Sequence, residues 1–397
     1  MRKSWLVICL FNFVVAALMG LFLRLTKVVA VDIEYSHLLH AHSHTAMLGW
    51  AYMMVFALAV HYFVPEGQRA KYNRLFWITQ TTVIGMMVAF PLQGYGPFSI
   101  TFSTLHIICS YWFAVKIYRD TRHLQGAGKK LFHTGLFFMA FSTLGAWALG
   151  PIGALIGKDS PMYRSAIQFF LHFQFNGWFL AAALAMFLAH FVDQAQSRKF
   201  RAFHSMLILS IVLTFGLPLS WNLEHQIFFH MNWIGALLQA SAMIVFWLMF
   251  RNVIRERALA LPSEQKMLLA LAVVSILLKI LLQVLAVSAA VADASHKFRD
   301  FAIGFIHLTM LGAVTGFLLM LIPDNLRGSR NRIWTIGVRV FCTGFIATEG
   351  LLFARGIREW MNLQPYWPEP EMLFAASVLL PSALIAMLLW VVKNRAI

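Results

Sequence analysis

Acidic residues are scarce in this chain: 16 Asp and Glu stand against 32 Lys and Arg, and charged residues of both signs fill only 12% of 397 positions. Ordinary globular chains carry about 25% charge, so the polar surface a soluble domain needs is not available. Cysteine is also rare. The three present, Cys9, Cys109 and Cys342, form no CxxC pair, which excludes a disulfide framework and a thiolate metal site. Long polar segments are missing too, so no separable soluble module is expected.

What remains is apolar: 60% of the residues are hydrophobic, against roughly 45–50% in globular chains. Apolar runs of about 20 residues, the length that spans a bilayer, recur near 4–24, 39–63, 73–95, 98–118, 133–156, 165–191, 201–220, 227–250, 266–289, 301–322, 332–354 and 371–392. The reading is all-α: a single membrane-embedded bundle over 1–397 with twelve transmembrane helices and pseudo-repeats of four. The first run has a basic start but no small-residue cleavage site, so it counts as a helix and not a removed signal. A tight turn at Gly94-Tyr95-Gly96-Pro97 is expected to separate the third helix from the fourth.

The net charge of +16 is not a nucleic-acid patch, because Lys and Arg sit in short clusters between apolar runs. It is topogenic charge. Eight basic residues, Arg24, Lys27, Lys158, Arg164, Lys297, Arg299, Arg355 and Arg358, lie on the side away from the N-terminus; Lys279 and Arg339 fall within spans; the other 22 of the 32, among them Arg327, Arg330 and Arg395, lie on the N-terminal side. The positive-inside rule then puts both termini in the cytoplasm, and a bacterial inner membrane is the expected location.

Among 15 histidines, five are placed deep in spans, where an ionisable group is costly unless neutral, paired or metal-bound. His44, His106, His172, His230 and His307 fall on the second, fourth, sixth, eighth and tenth helices, at a similar expected depth near the outer face. Four of them open a His-x4-Gly pattern: His44 to Gly49, His172 to Gly177, His230 to Gly235 and His307 to Gly312. On an α-helix that spacing turns the Gly about 140° from the His, where it lets a neighbouring helix or a flat macrocycle approach the backbone. Imidazoles from separate helices suit haem iron or a transition metal; the plainer alternative is polar contact between helices. A denser cluster, His37-Leu-Leu-His40-Ala-His42-Ser-His44, puts His40 and His44 on one face and His42 on the other. It offers zinc two ligands but no third, and otherwise hydrogen bonds around a haem.

Taken together, these residues resemble the haem-copper oxidase subunit I superfamily, in its cbb3-type oxidase and nitric oxide reductase branches. The local match is Ala302-Ile-Gly304-Phe305-Ile306-His307-Leu-Thr-Met-Leu-Gly312, which looks like the family's tenth-helix segment. The resemblance implies a low-spin, bis-His haem b held by His44 and His307, with Gly49 and Gly312 beside it. It also implies that Arg355 and Arg358, in the last outer loop, hold the haem propionates by charge-assisted bonds. Respiratory subunits and a cytochrome c or quinol electron donor would be the partners, besides membrane lipid.

Departures from the family bear on chemistry. The position of its high-spin haem ligand is Phe305, Asn176 stands four after His172 where a Tyr is expected, and no His-His pair exists in the chain. After the seventh helix only Trp221-Asn-Leu-Glu224-His225 and His230 remain. The expectation is therefore electron transfer, or nitric oxide or oxygen chemistry, with a degenerate catalytic site. His172, His230 and His225 are the candidates for a second haem or a copper. A more distant resemblance is to the twelve-helix haem-copper proteins of nitric oxide resistance. The main alternative is a proton or metal-ion transporter working through the intramembrane histidines, and a third is an assembly subunit without cofactors. Lys279, Arg339 and Glu349 are further intramembrane charges, with Arg339 placed to snorkel.

Overall fold

A computed structural model describes residues 1–192, 197–223, 225–323, 326, 332–365 and 367–393. Glu224, Arg327, Arg330 and Arg395 lie outside these. Among the described residues twelve helices are long and apolar enough to cross a membrane: α1 Lys3–Leu25, α2 Tyr35–Phe63, α3 Glu66–Gln93, α4 Pro97–Thr121, α5 Ala127–Leu155, α6 Pro161–Phe191, α7 Arg198–Asn222, α8 Gln226–Ala260, α9 Ser263–Leu285, α10 Arg299–Met320, α11 Arg332–Trp360 and α12 Glu369–Lys393. Each coincides with one expected span, and the protein is an all-α polytopic bundle.

Local chemistry sets the helix ends. Gly94 takes φ +57, a conformation open to glycine, and stops α3. Pro97 then opens α4, where its fixed φ suits the first helical position, and the Ser99 hydroxyl accepts from the Gly96 N–H at 3.0 Å. Ser160 and Ser197 cap α6 and α7 by accepting from Tyr163 and Phe200 N–H, each satisfying one amide left open at a helix start. The helices outrun the apolar runs mostly through such polar ends, which hydropathy does not register.

The chain packs as two compact units. The first comprises Met1–Arg122, Pro262–Leu271 and Thr315–Ile397, and the second His123–Leu261 and Ala272–Val314. In the first, α3 lies on α4 and α11 on α12, and α1 packs on both α12 and α2. Trp5 stacks on Phe76 at 4.5 Å and Phe13 on Trp50 at 4.3 Å. In the second, α5 lies on α6 and α7 on α8. Small residues permit the close approach: a Cβ at Gly128 would stand 2.7 Å from the Ala185 carbonyl oxygen, the packing by which membrane helices gain contact.

Burial separates the helices into two kinds. The apolar windows of α2, α6 and α10 are 78%, 89% and 67% buried, against 28–50% in the other nine. The three most protein-enclosed helices are thus the second, sixth and tenth, spaced by four, and these carry three of the four His-x4-Gly motifs.

Candidate functional site: three histidine-led π-turns

Each of the three enclosed helices changes from α to π geometry immediately after its histidine. The π segments run over Thr45–Tyr52, Phe173–Phe179 and Leu308–Val314, following His44, His172 and His307. In a π-turn the N–H of residue i+5 bonds to the carbonyl of residue i. The first and last residues of the motif are thus the pair such a turn joins. The turn of about 140° expected on an α-helix therefore does not apply to these three. The fourth motif, His230 to Gly235, lies in the uninterrupted helix Gln226–Ala260 and has no π-turn.

Side chains occupy the distorted backbone. Asn12 Nδ2 donates to the Gly49 carbonyl at 2.8 Å and to Gln80 Oε1 at 2.8 Å, while Gln80 Nε2 returns a bond to Asn12 Oδ1 at 3.0 Å. Asn176 Nδ2 donates to the His172 carbonyl at 3.1 Å. Polar groups inserted into the helical ladder are a recognised cause of such distortion. The glycines admit protein neighbours: a Cβ at Gly49 would meet Val83 at 3.0 Å, and one at Gly177 would meet Phe138 at 2.6 Å. Gly312 is buried within the third π segment. Trp50, next to Gly49, donates from Nε1 to Thr315 Oγ1 at 2.9 Å.

The three histidines differ in what they can bind. His44 Nδ1 faces the His40 carbonyl oxygen at 2.9 Å. A carbonyl only accepts, so Nδ1 carries the hydrogen and Nε2 the lone pair. This arrangement fixes tautomer and ring orientation in metal-ligating histidines. Phe90 lies across the ring at 4.1 Å and Tyr95 at 5.9 Å. His44 could therefore offer Nε2 to a metal. His172 is held the other way: Nε2 donates to the Ile211 carbonyl at 2.8 Å, and Asn176 Nδ2 covers Nδ1 at 3.5 Å. Both of its ring nitrogens face protein. His307, half-buried, closes the α-helical part of its span as His44 does.

Depth sorts the remaining candidates. His44, His106 and His307 lie eight or nine residues from the starts of α2, α4 and α10, and His172 eleven from the start of α6; His230 lies only four from the start of α8. Similar depth therefore holds for four of the five. His230 is exposed beside Trp233, and His225 is the exposed cap of α8, its Nδ1 accepting from Ile227 N–H at 3.2 Å. His106 is buried, packs edge-on to Tyr52 at 4.7 Å, and its Nε2 makes no hydrogen bond among the described residues. In the dense cluster, His42 turns away from His44 and bonds the Ala16 carbonyl at 2.8 Å. His40 serves His44 through its backbone, not its ring. Among the described residues no group of three or more His, Cys, Asp or Glu stands close enough to hold a metal ion. A two-imidazole haem site does not need one.

The basic pair has a partner that sequence reasoning missed. Arg358 grips Glu369 with two nitrogens, Nε to Oε1 at 2.6 Å and Nη2 to Oε2 at 3.0 Å, and Arg355 Nε lies 3.6 Å from Oε2. Glu369 is buried and begins α12, where a carboxylate also meets the positive end of the helix dipole. Glu369 and Glu371 in the first turn, after Pro368, are a helix-start signal that could have pointed to it. A haem propionate would have to share or displace this carboxylate.

In the second unit, Lys279 is fully buried, donating to Gln283 Oε1 at 2.6 Å, with Phe305 5.5 Å from its ammonium. Phe305 thus covers a buried cation. In the same unit, Asn176 Oδ1, Asn232 Nδ2 and Gln239 Oε1 are buried and make no hydrogen bond among the described residues. In comparisons with known proteins no family model matches the chain and no curated protein does, so the haem-copper resemblance rests on the residues quoted for it.

Proposed function

We propose that this is a haem-binding integral membrane protein related to the catalytic subunit of haem-copper oxidases, in which His44 and His307 are the histidines that would hold a low-spin haem b. The observation that carries the reading is the His44 tautomer: its Nδ1–H is committed to the His40 carbonyl, leaving Nε2 for iron. The same placement, a histidine directly before a π-turn, recurs at His307, and π-turns gather at functional sites.

When bound, the haem would supply one-electron transfer. The chain's own contributions are orientation and exclusion. His40 holds the His44 ring, Phe90 shields its face, and Asn12 and Gln80 fix the backbone beneath Gly49. Arg355 and Arg358 hold propionates only by exchanging Glu369. His172 is left out as an iron ligand, because its ring nitrogens are already engaged. Phe305 in place of the high-spin ligand supports electron transfer, or nitric oxide or oxygen chemistry by a reduced site. Both termini lie in the cytoplasm of a bacterial inner membrane in this reading, with a cytochrome c or quinol as donor. Purified protein should give a reduced-minus-oxidised spectrum with a sharp alpha band and a positive pyridine-haemochrome assay, both lost in His44→Ala and His307→Ala. A colourless protein overturns the reading.

A second reading is proton or metal-ion transport, favoured by one observation: Lys279 is fully buried, and its one hydrogen bond among the described residues goes to the neutral Gln283. Intramembrane ionisable groups commonly mark ion pathways. Ion flux in proteoliposomes that contain no haem, abolished by Lys279→Met, would support it.

A further inference from the structure

Arg339 is exposed on α11, seven residues from its start at Arg332, which is exposed too. Neither guanidinium has a hydrogen-bond or ion-pair partner among the described residues. Both line one open cleft of about 470 Å3 in the first unit, together with Ser263, Glu264, Thr335 and Ile336. The Glu264 carboxylate does not neutralise them. It is buried and takes the Ser263 hydroxyl at 3.2 Å.

The position of the cleft follows from helix length. The 29 residues of α11 make about 43 Å at roughly 1.5 Å per residue, against a hydrocarbon core of about 30 Å. Centred, the helix overhangs by about 6 Å at each end, so the Arg339 backbone, about 10 Å from the helix start, lies about 4 Å below the hydrocarbon boundary. A long arginine side chain covers that distance, which brings its head to the phosphate layer beside that of Arg332. Ile336, 56% exposed, and Ile346, 64% exposed, continue the same face of α11 into the membrane.

We infer that this cleft binds the phosphate of an anionic phospholipid in the leaflet on the N-terminal side, with the acyl chains along the face of α11 at Ile336 and Ile346. Two guanidiniums match phosphate oxygens by bidentate, charge-assisted bonds, and the Thr335 hydroxyl adds a neutral donor. A basic pocket between membrane helices is suited to such head groups. A zwitterionic lipid brings its own cation, which repels the two guanidiniums and offsets their attraction to the phosphate. The inference does not depend on the haem reading.

The test is native mass spectrometry of the full chain, purified in detergent and supplied with phosphatidylglycerol or phosphatidylcholine of identical acyl chains. Wild type should retain phosphatidylglycerol preferentially, by about tenfold, the loss expected when roughly one charge-assisted bond is missing. Arg332→Gln with Arg339→Gln should erase that preference, Arg339→Lys should keep part of it, and Arg198→Gln, which removes a basic residue at the start of α7, should leave it intact. Equal retention of the two lipids by wild type overturns the inference whether or not any variant folds. So does undiminished preference in the double variant. Inorganic phosphate competing as well as the lipid would assign the cleft to a free anion and overturn the lipid assignment.

Discussion

His44 Nδ1 donates to the carbonyl of His40, one turn earlier on the same helix, across 2.9 Å. The support is a backbone atom, so the His40 side chain is dispensable to it. His40→Ala should retain the haem spectrum of wild type, whereas His44→Ala should lose it. Pyridine-haemochrome assays on the two variants, purified in parallel, decide this; equal loss in both would place the His40 ring itself in the site.

Gly177 has no room for a methyl group, since a Cβ there would sit 2.6 Å from Phe138, which also packs on Phe173 with parallel rings. Gly177→Ala should destabilise the protein by roughly 1–3 kcal/mol, the usual cost of overpacking. At Gly49 the tightest neighbour is a Val83 methyl at 3.0 Å, and the cost should fall at the low end of that range. Thermal melts in detergent of Gly177→Ala and Gly49→Ala should rank them in that order.

Glu369 is enclosed by two guanidiniums, and Arg358 also donates to the Leu363 carbonyl at 3.0 Å. Replacing the carboxylate strands both cations at the head of α12. Glu369→Gln should cost roughly 2–4 kcal/mol, between a lost charged hydrogen bond and a broken buried pair. The Arg355 and Arg358 ends of α11 should then show faster amide exchange. An unchanged melting temperature would mean that another anion compensates.

Lys279 costs stability wherever it is not required, since a buried cation on one amide oxygen is poorly compensated. Lys279→Met, close in volume, should be neutral or stabilising by about 1–4 kcal/mol, measured by unfolding in mixed micelles. If activity falls while stability rises, the lysine is retained for function. A clear loss of stability would instead make it a structural residue.

The twelve spans were legible because a bilayer imposes a run of about 20 apolar residues on every crossing, and the Gly94 to Pro97 turn because a positive φ and a helix-opening Pro are local properties. The opposite facing of His42 and His44 followed from helical spacing. The π-turns were not legible on α geometry, although the motif spacing of five is the π hydrogen-bond spacing itself. Glu369 was missed because its partner Arg358 lies across a loop, and pairings across loops leave no periodic trace. His225, a ligand candidate by residue type, caps a helix through its ring, a use that composition does not distinguish. The dual engagement of His172 depends on Ile211 from another helix, which no single-helix pattern reveals.

Each π-turn inserts one residue into a helix that otherwise repeats every 3.6. Downstream of His44, His172 and His307 the numbering is therefore out of phase by one position with what a plain wheel projection assigns. Aligning this chain to any protein whose corresponding helices run straight requires a single-residue gap just past each of these histidines. Without those three gaps, residues that face the protein interior would be matched to residues that face lipid.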